Sequence, residues 1–241
     1  MTPPASKPSP SPRDRLIVAL DVASAAEAQK LVATIGNNAA IYKIGKQLFT
    51  SEGPGLVRDL VNSGRKVFLD LKYHDIPNTV ASAVRAAAEL RVHMLTVHAS
   101  GGSQMLRAAA EAAAASSARP LVLAVTVLTS MADEDLAEVG IGGKAQEQVV
   151  RLAKLAQNAA VGGLVASPSE LKALRKAIGQ EMKIVTPGVR PAGSDKGDQA
   201  RVATPAEAIA NGADYIVVGR PIIAAADPAA AAKAILAEIQ K

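Results

Sequence analysis

Eight short runs of Val, Ile and Leu recur along the chain, each separated from the next by an alanine-rich stretch long enough for a helix. They lie at approximately Leu16–Asp21, Ile41–Gly45, Val67–Asp70, Met94–His98, Leu121–Leu128, Gly163–Ala166, Lys183–Thr186 and Tyr215–Gly219. Continuous apolar runs, rather than alternation of apolar and polar residues, are what parallel strands buried on both faces require. Helix starts are marked by Ser24, Ser103, Ser167 with Pro168, Thr204 with Pro205, and Asp227 with Pro228, because a short oxygen-bearing side chain satisfies the first free N–H groups. Eight such units in one chain predict an α/β fold of a single domain, a (β/α)8 TIM barrel. A doubly wound open sheet is the alternative, but it more often uses fewer strands. No Gly-x-Gly-x-x-Gly follows the first run, and in Gly53-Pro54-Gly55 the third glycine position is Arg58.

A chain of 241 residues is long for one domain, yet α/β barrels commonly reach that size. Hydrophobic residues make up 49% and aromatics only 2%, so the core must be built from Ala, Val, Leu and Ile. The net charge of +5 is spread over 27 bases interspersed among 22 acids, with no basic cluster interleaved with aromatics. That argues against nucleic acid as a partner and for weak steering of an anionic small molecule. With no cysteine the chain forms no disulfide and uses no thiolate, which fits a reducing compartment. Residues 1–14 are rich in Pro and Ser without an apolar signal-peptide core and are expected to be a disordered tail ahead of a catalytic domain over 15–241. No segment approaches the ~18 apolar residues of a membrane span, so a cytoplasmic protein is expected.

In a barrel of this kind the active face lies at the C-terminal ends of the strands. The polar residues gather there: Asp21 ends the first run, Lys43 lies near the end of the second, Asp70 and Lys72 end the third, His98 the fourth and Thr129 follows the fifth. Arg190 follows the seventh and Arg220 the eighth. Unpaired charges in an apolar core are costly, so their convergence on one rim points to a site. Within the stretch from Lys66 to Thr79, strand periodicity puts Asp70 and Lys72 on one side, and Asp75 follows in a turn closed by Pro77 and Asn78 before a helix from Thr79 to Leu90. A strand-end ion pair worth ~0–1 kcal/mol plus a helix cap would also account for these charges. Lys43 either extends its ammonium to water or lies between Asp70 and Asp75. Gly219-Arg220 sits where barrels bind phosphate, and the polar segment from Gly188 to Arg201 is long enough to serve as a lid. His74, His93 and His98 lack metal-ligand spacing; His93 is read as structural and His98 as supporting.

Leu69-Asp70-Leu71-Lys72-Tyr73-His74-Asp75-Ile76-Pro77-Asn78-Thr79 resembles the signature of the orotidine 5'-phosphate decarboxylase family. Val18-Ala19-Leu20-Asp21, Tyr42-Lys43-Ile44-Gly45, Val97-His98-Ala99-Ser100-Gly101-Gly102, Val125–Ser130, Thr186-Pro187-Gly188-Val189-Arg190-Pro191, Gly197-Asp198-Gln199 and Val218-Gly219-Arg220-Pro221 resemble its other blocks, in its order, over about Arg15 to Ile239. The resemblance implies conversion of orotidine 5'-phosphate (OMP) to UMP and CO2 without metal or organic cofactor. It implies Lys72 as cation and proton donor, Asp70 beside the substrate carboxylate, and Lys43 in an alternating Asp-Lys-Asp-Lys network. It further implies a homodimer in which Asp75, Ile76 and Thr79 enter the neighbouring subunit's site. Asp21 and Lys43 would bind ribose hydroxyls, Thr129 and Ser130 the pyrimidine edge, and Pro187 would line the substrate site. Gln199, Gly219, Arg220 and Arg190 would hold the phosphate. Two rivals share parts of this pattern: Mg²⁺-dependent sugar-phosphate enzymes with the same Asp-x-Lys-x-x-Asp strand end, and a non-catalytic phosphate-binding barrel.

Overall fold

The computed structural model describes residues 11–191 and 203–240. Eight parallel strands, β1 (Leu16–Ala19), β2 (Ile41–Gly45), β3 (Lys66–Tyr73), β4 (Met94–His98), β5 (Leu121–Val125), β6 (Gly163–Val165), β7 (Lys183–Thr186) and β8 (Tyr215–Val218), close into a barrel in sequence order. Among the described residues the helices are α1 (Pro12–Arg15), α2 (Ala25–Ile35), α3 (Lys46–Asn62), α4 (Pro77–Glu89), α5 (Gly102–Ala115), α6 (Asp133–Glu138), α7 (Ala145–Asn158), α8 (Leu171–Ile178), α9 (Pro205–Ala210), α10 (Arg220–Ile223) and α11 (Pro228–Ile239). The single-domain (β/α)8 barrel is therefore as the apolar runs predict.

Register decides which side chains face the axis. Ile17 pairs with Ile41 on one side and Val217 on the other, Lys43 with Phe68, and Phe68 with Met94. The apolar members of this inward set, with Leu123 and Val185, fill the barrel interior as a small cluster. The opposite faces of the same strands pack against the helices in a much larger one. Alanines make that outer layer thin: α4 buries Ala81, Ala87 and Ala88, and α5 buries Ala109, Ala112 and Ala113. The low aromatic content is thus no handicap, since each fully buried Val, Leu or Ile contributes ~1.5–3 kcal/mol. On β6 a Cβ at Gly163 would fall 2.6 Å from the Lys183 carbonyl oxygen, so only glycine lets β6 and β7 approach there.

Several boundaries differ from those read in the sequence. β1 ends at Ala19 and β5 at Val125, so Asp21 and Leu128 lie on the loops just beyond the sheet. β3 is longer than its apolar run because Leu71, Lys72 and Tyr73 continue it at the rim. α4 starts at Pro77, whose fixed φ suits the first helical position, rather than at Thr79. Ser24, Thr204 and Asp227 cap their helices through side-chain oxygens. Ser103 does not: α5 begins one residue earlier, and the Ser103 hydroxyl accepts from Arg107 Nη2 instead. Pro12–Asp14, assigned from sequence to the tail, form the first helical turn, and Asp14 accepts from Ser11 Oγ at 2.7 Å and pairs with Lys66 at 3.1 Å. Residues 1–10 of the expected tail lie outside the described residues.

At the N-terminal face of the barrel Arg175 gathers several partners. Arg175 on α8 donates to the carbonyls of Gly179, Met182 and Gly212 and pairs with Asp214, which also accepts from Lys183 Nζ and the Ile184 N–H. Arg175→Ala leaves a mostly buried carboxylate and three carbonyls short of a donor, and should destabilise by about 2–3 kcal/mol, read as a lower urea midpoint. Lys144→Ala, which removes an exposed pair with Asp133, should leave the midpoint unchanged.

Candidate active site

The inward-facing charges meet at the C-terminal rim. Lys43, its side chain mostly buried on β2, directs its ammonium at 2.9 Å to Asp21 Oδ1 beyond β1. Gly45 gives this pair its room, since a Cβ there would lie 3.1 Å from Lys43 Nζ. On β3, Lys72 Nζ donates to both carboxylate oxygens of Asp70, each at 2.9 Å, with the side chains 25% and 15% exposed. A cavity of about 350 Å³ is lined by Asp21, Lys43, Asp70, Lys72 and His98. A second, about 160 Å³ and more apolar, shares Lys43, Asp70 and Lys72 and adds Phe68, Thr129 and Pro187. Lys43, Asp70 and Lys72 are thus shared by both cavities, while Asp21 lines the larger one alone.

Asp70 and Lys72 meet by a different route from simple strand alternation. Leu69 pairs with Leu95 and Tyr73 with Val97, so Asp70, Leu71 and Lys72 together oppose Thr96 alone. This bulge puts Lys72 in the left-handed region at φ 54°, which costs roughly 1–2 kcal/mol for a residue with a Cβ. Thr96 fills the gap: its Oγ1 accepts from the Lys72 N–H at 2.8 Å and lies 2.9 Å from Asp70 Oδ1. Sequence reasoning passed over Thr96. Its signal was there, as the one hydroxyl in Met94-Leu95-Thr96-Val97-His98, at the strand parity that faces the axis.

Other expected site residues are placed as follows. The Lys43 ion pair is with Asp21, so Lys43 does not bridge Asp70 and Asp75 within the chain. Asp75 is exposed, accepts from the N–H of Ile76 at 2.6 Å and lines neither cavity; Ile76 is 68% exposed, and Thr79 is exposed on α4. Thr129 is half-buried at the rim, with Ser130 exposed beside it. Beyond β7, Val189 forms an isolated bridge with Ala203 and Arg190 N–H donates to the Ala203 carbonyl, which closes the base of the segment that includes Gln199. Gln199 itself lies outside the described residues. Gly219 precedes α10, its carbonyl accepting from Ile222 and Ile223, and Arg220 opens that helix exposed at the rim. A Cβ at Gly219 would make only ordinary 3.5 Å contacts with Ala19 and Asp21, so space does not demand glycine there.

The model of the orotidine 5'-phosphate decarboxylase / HUMPS family matches residues 14–235. The chain belongs to that family. Two similar relatives, each named orotidine 5'-phosphate decarboxylase, come from Moorella thermoacetica (56% identity over 95% of this chain and 93% of that one) and Halorhodospira halophila (57% over 93% and 95%). A crystal structure of orotidine 5'-phosphate decarboxylase from Lactobacillus acidophilus superposes with a TM-score of 0.85 at 40% identity, covering 95% of this chain and 100% of that one. Among the described residues no helix is long and apolar enough to cross a membrane.

His98, on the wall of the larger cavity, is met from outside it by His74. His98 and His74 stack with ring centroids 5.4 Å apart at 39°. Burial, then the His74, Lys72 and Lys46 charges, pushes the His98 pKa below the ordinary 6.5, with Asp70 opposing. His93, just ahead of β4, is pushed down by burial and by Lys66. In the unfolded chain both return to 6.5, so below that pH the unfolded state binds more protons than the folded one. The stability that these neutral rings contribute is complete above pH 6.5 and lost as pH falls from there through the folded pKa values. Urea midpoints followed from about pH 8 to about pH 5 should fall on the acid side, and His93→Gln should flatten part of that fall.

Proposed function

We propose that the protein converts OMP to UMP and CO2 in pyrimidine biosynthesis, without metal or organic cofactor, through the Asp70–Lys72 pair. The observation that carries the reading is an ammonium held against a carboxylate at the junction of two cavities at the barrel rim. Breaking the C6–carboxylate bond leaves an electron pair on C6 in the plane of the ring, with no adjacent group able to accept it. Its stabilisation must then be electrostatic, from a charge already in position. Lys72 supplies that charge and, once CO2 has left, transfers a proton from Nζ to C6; the resulting amine regains its proton from water. Asp70 holds Lys72 in place and faces the departing carboxylate, whose repulsion ends as CO2 becomes neutral.

The pyrimidine suits the more apolar cavity, which Thr129 and Pro187 line, with Ser130 exposed next to Thr129 read as reaching the pyrimidine edge, and the ribose hydroxyls suit the Asp21–Lys43 pair. Arg190, Gly219 and Arg220 lie after β7 and β8, where barrels take phosphate, and Gln199 is read as a further phosphate-side residue. Asp75, Ile76 and Thr79, exposed and outside their own chain's cavities, are read as completing the site of a second copy in a cytoplasmic homodimer.

Mixing the purified protein with OMP and EDTA and following the pyrimidine absorbance tests the activity: turnover is expected, and its loss on chelation would favour the Mg²⁺-dependent branch. Lys72→Ala should remove both the cation and the proton donor and nearly abolish kcat while leaving the fold intact by circular dichroism. A loss smaller than about tenfold, ~1.4 kcal/mol of barrier, would take Lys72 out of the reaction.

The shared site has its own test. Mixing inactive Lys72→Ala with inactive Asp75→Asn should regenerate activity, since a hybrid dimer holds one site in which both residues are intact. No recovery after demonstrated subunit exchange would place Asp75 in its own chain's chemistry.

A further inference from the structure

We propose that Thr96 is a positioning residue for the reaction, acting through a hydroxyl that fixes the Lys72 backbone and the Asp70 carboxylate in one arrangement. The inference rests on the reading of Lys72 as cation and proton donor.

The bond directions follow from the groups present. A backbone N–H can only donate, so Thr96 Oγ1 accepts from Lys72 at 2.8 Å, and its single proton is left for Asp70 Oδ1 at 2.9 Å. The Lys72 ammonium then returns to the same carboxylate at 2.9 Å, which closes a loop of three hydrogen bonds through one hydroxyl. The loop has a task that a regular strand would not set. Residues two apart on an extended strand stand about 6.6 Å apart along it, whereas the bulge opposite Thr96 turns Lys72 to φ 54° and brings Nζ onto both oxygens of Asp70. A conformation of that kind persists only where its surroundings hold it. The Lys72 N–H finds its partner in a side chain, and Thr96 is fully buried, so its hydroxyl has no competing water. Val has the same outline as Thr without the proton or the acceptor.

Thr96→Val should therefore separate kcat from binding. With OMP, kcat is expected to fall at least tenfold, while the affinity for UMP, which lacks the C6 carboxylate and is gripped through ribose and phosphate, changes less than twofold. Thr96→Ser, which keeps the hydroxyl, should stay within threefold of wild type. A Thr96→Val enzyme within threefold of wild type in kcat would overturn the proposal. So would a Ser variant as impaired as the Val variant, or parallel losses of kcat and UMP affinity, since either assigns Thr96 to packing. If neither Thr96→Val nor Thr96→Ala folds while Thr96→Ser does, the hydroxyl is structural and the proposal falls. Turnover by wild type but not by Lys72→Ala secures the underlying reading separately. A wild-type protein inert toward OMP would overturn both.

Discussion

A parallel sheet closed on itself surrounds each inward side chain with neighbouring strands, so the axis can hold charge only where the stack of side chains ends. In this chain Phe68, Met94, Leu123, Val185 and Val217 fill the interior, and the next inward positions toward the C-terminal ends are Lys43, Asp70, Thr96 and His98. Taking a charge that deep out of water is costly unless an opposite charge or a hydrogen bond meets it. The pairs Lys43–Asp21 and Lys72–Asp70 meet that condition. The location of the site is thus a consequence of barrel closure, and its neutral pairing a consequence of burial.

What the sequence made legible follows from which rules are local. Continuous Val/Ile/Leu runs separated by Ala-rich helices specify buried parallel strands, and eight of them leave few architectures, so the barrel could be read without coordinates. Residue parity likewise placed Asp70 and Lys72 together. The route by which they meet could not be read, because a left-handed Lys carries no mark in sequence as a glycine would, and alternation presumes a regular strand. Thr96 stands out in sequence as an inward hydroxyl, but its partners, the Lys72 N–H and Asp70, follow only once β4 is set one residue against three. The Ser103 cap failed because Gly102, at φ 85°, already turns the chain into α5.

Asp75 shows a different limit. It lies five positions after Asp70, and proximity in sequence suggested a single carboxylate–ammonium–carboxylate rim. Pro77 starts α4, and the chain leaves the rim at His74, so the Asp75 side chain bonds to the Ile76 N–H and turns away from the two cavities. Ile76 is exposed beside this carboxylate, and both lie outside the two cavities of their own chain.

The charge pairing has a consequence for how such a site would treat a dianionic nucleotide. Lys72 is matched to Asp70 and Lys43 to Asp21, so the two cations on the inward strand positions are already paired before any ligand enters. A second carboxylate brought against Asp70 meets like charge, and the favourable energy needed to seat it must come from elsewhere on the molecule. The rim after β7 and β8, which carries Arg190 and Arg220, is where barrels of this kind commonly take phosphate. A grip at the phosphate end can do this work only if Asp70 and Lys72 do not yield when the substrate carboxylate arrives, because a side chain free to rotate away would relieve the repulsion without chemistry. On the proposed reading rigidity at the pair matters as much as charge, and the bulged β3 backbone with the hydroxyl set against it is what would supply it.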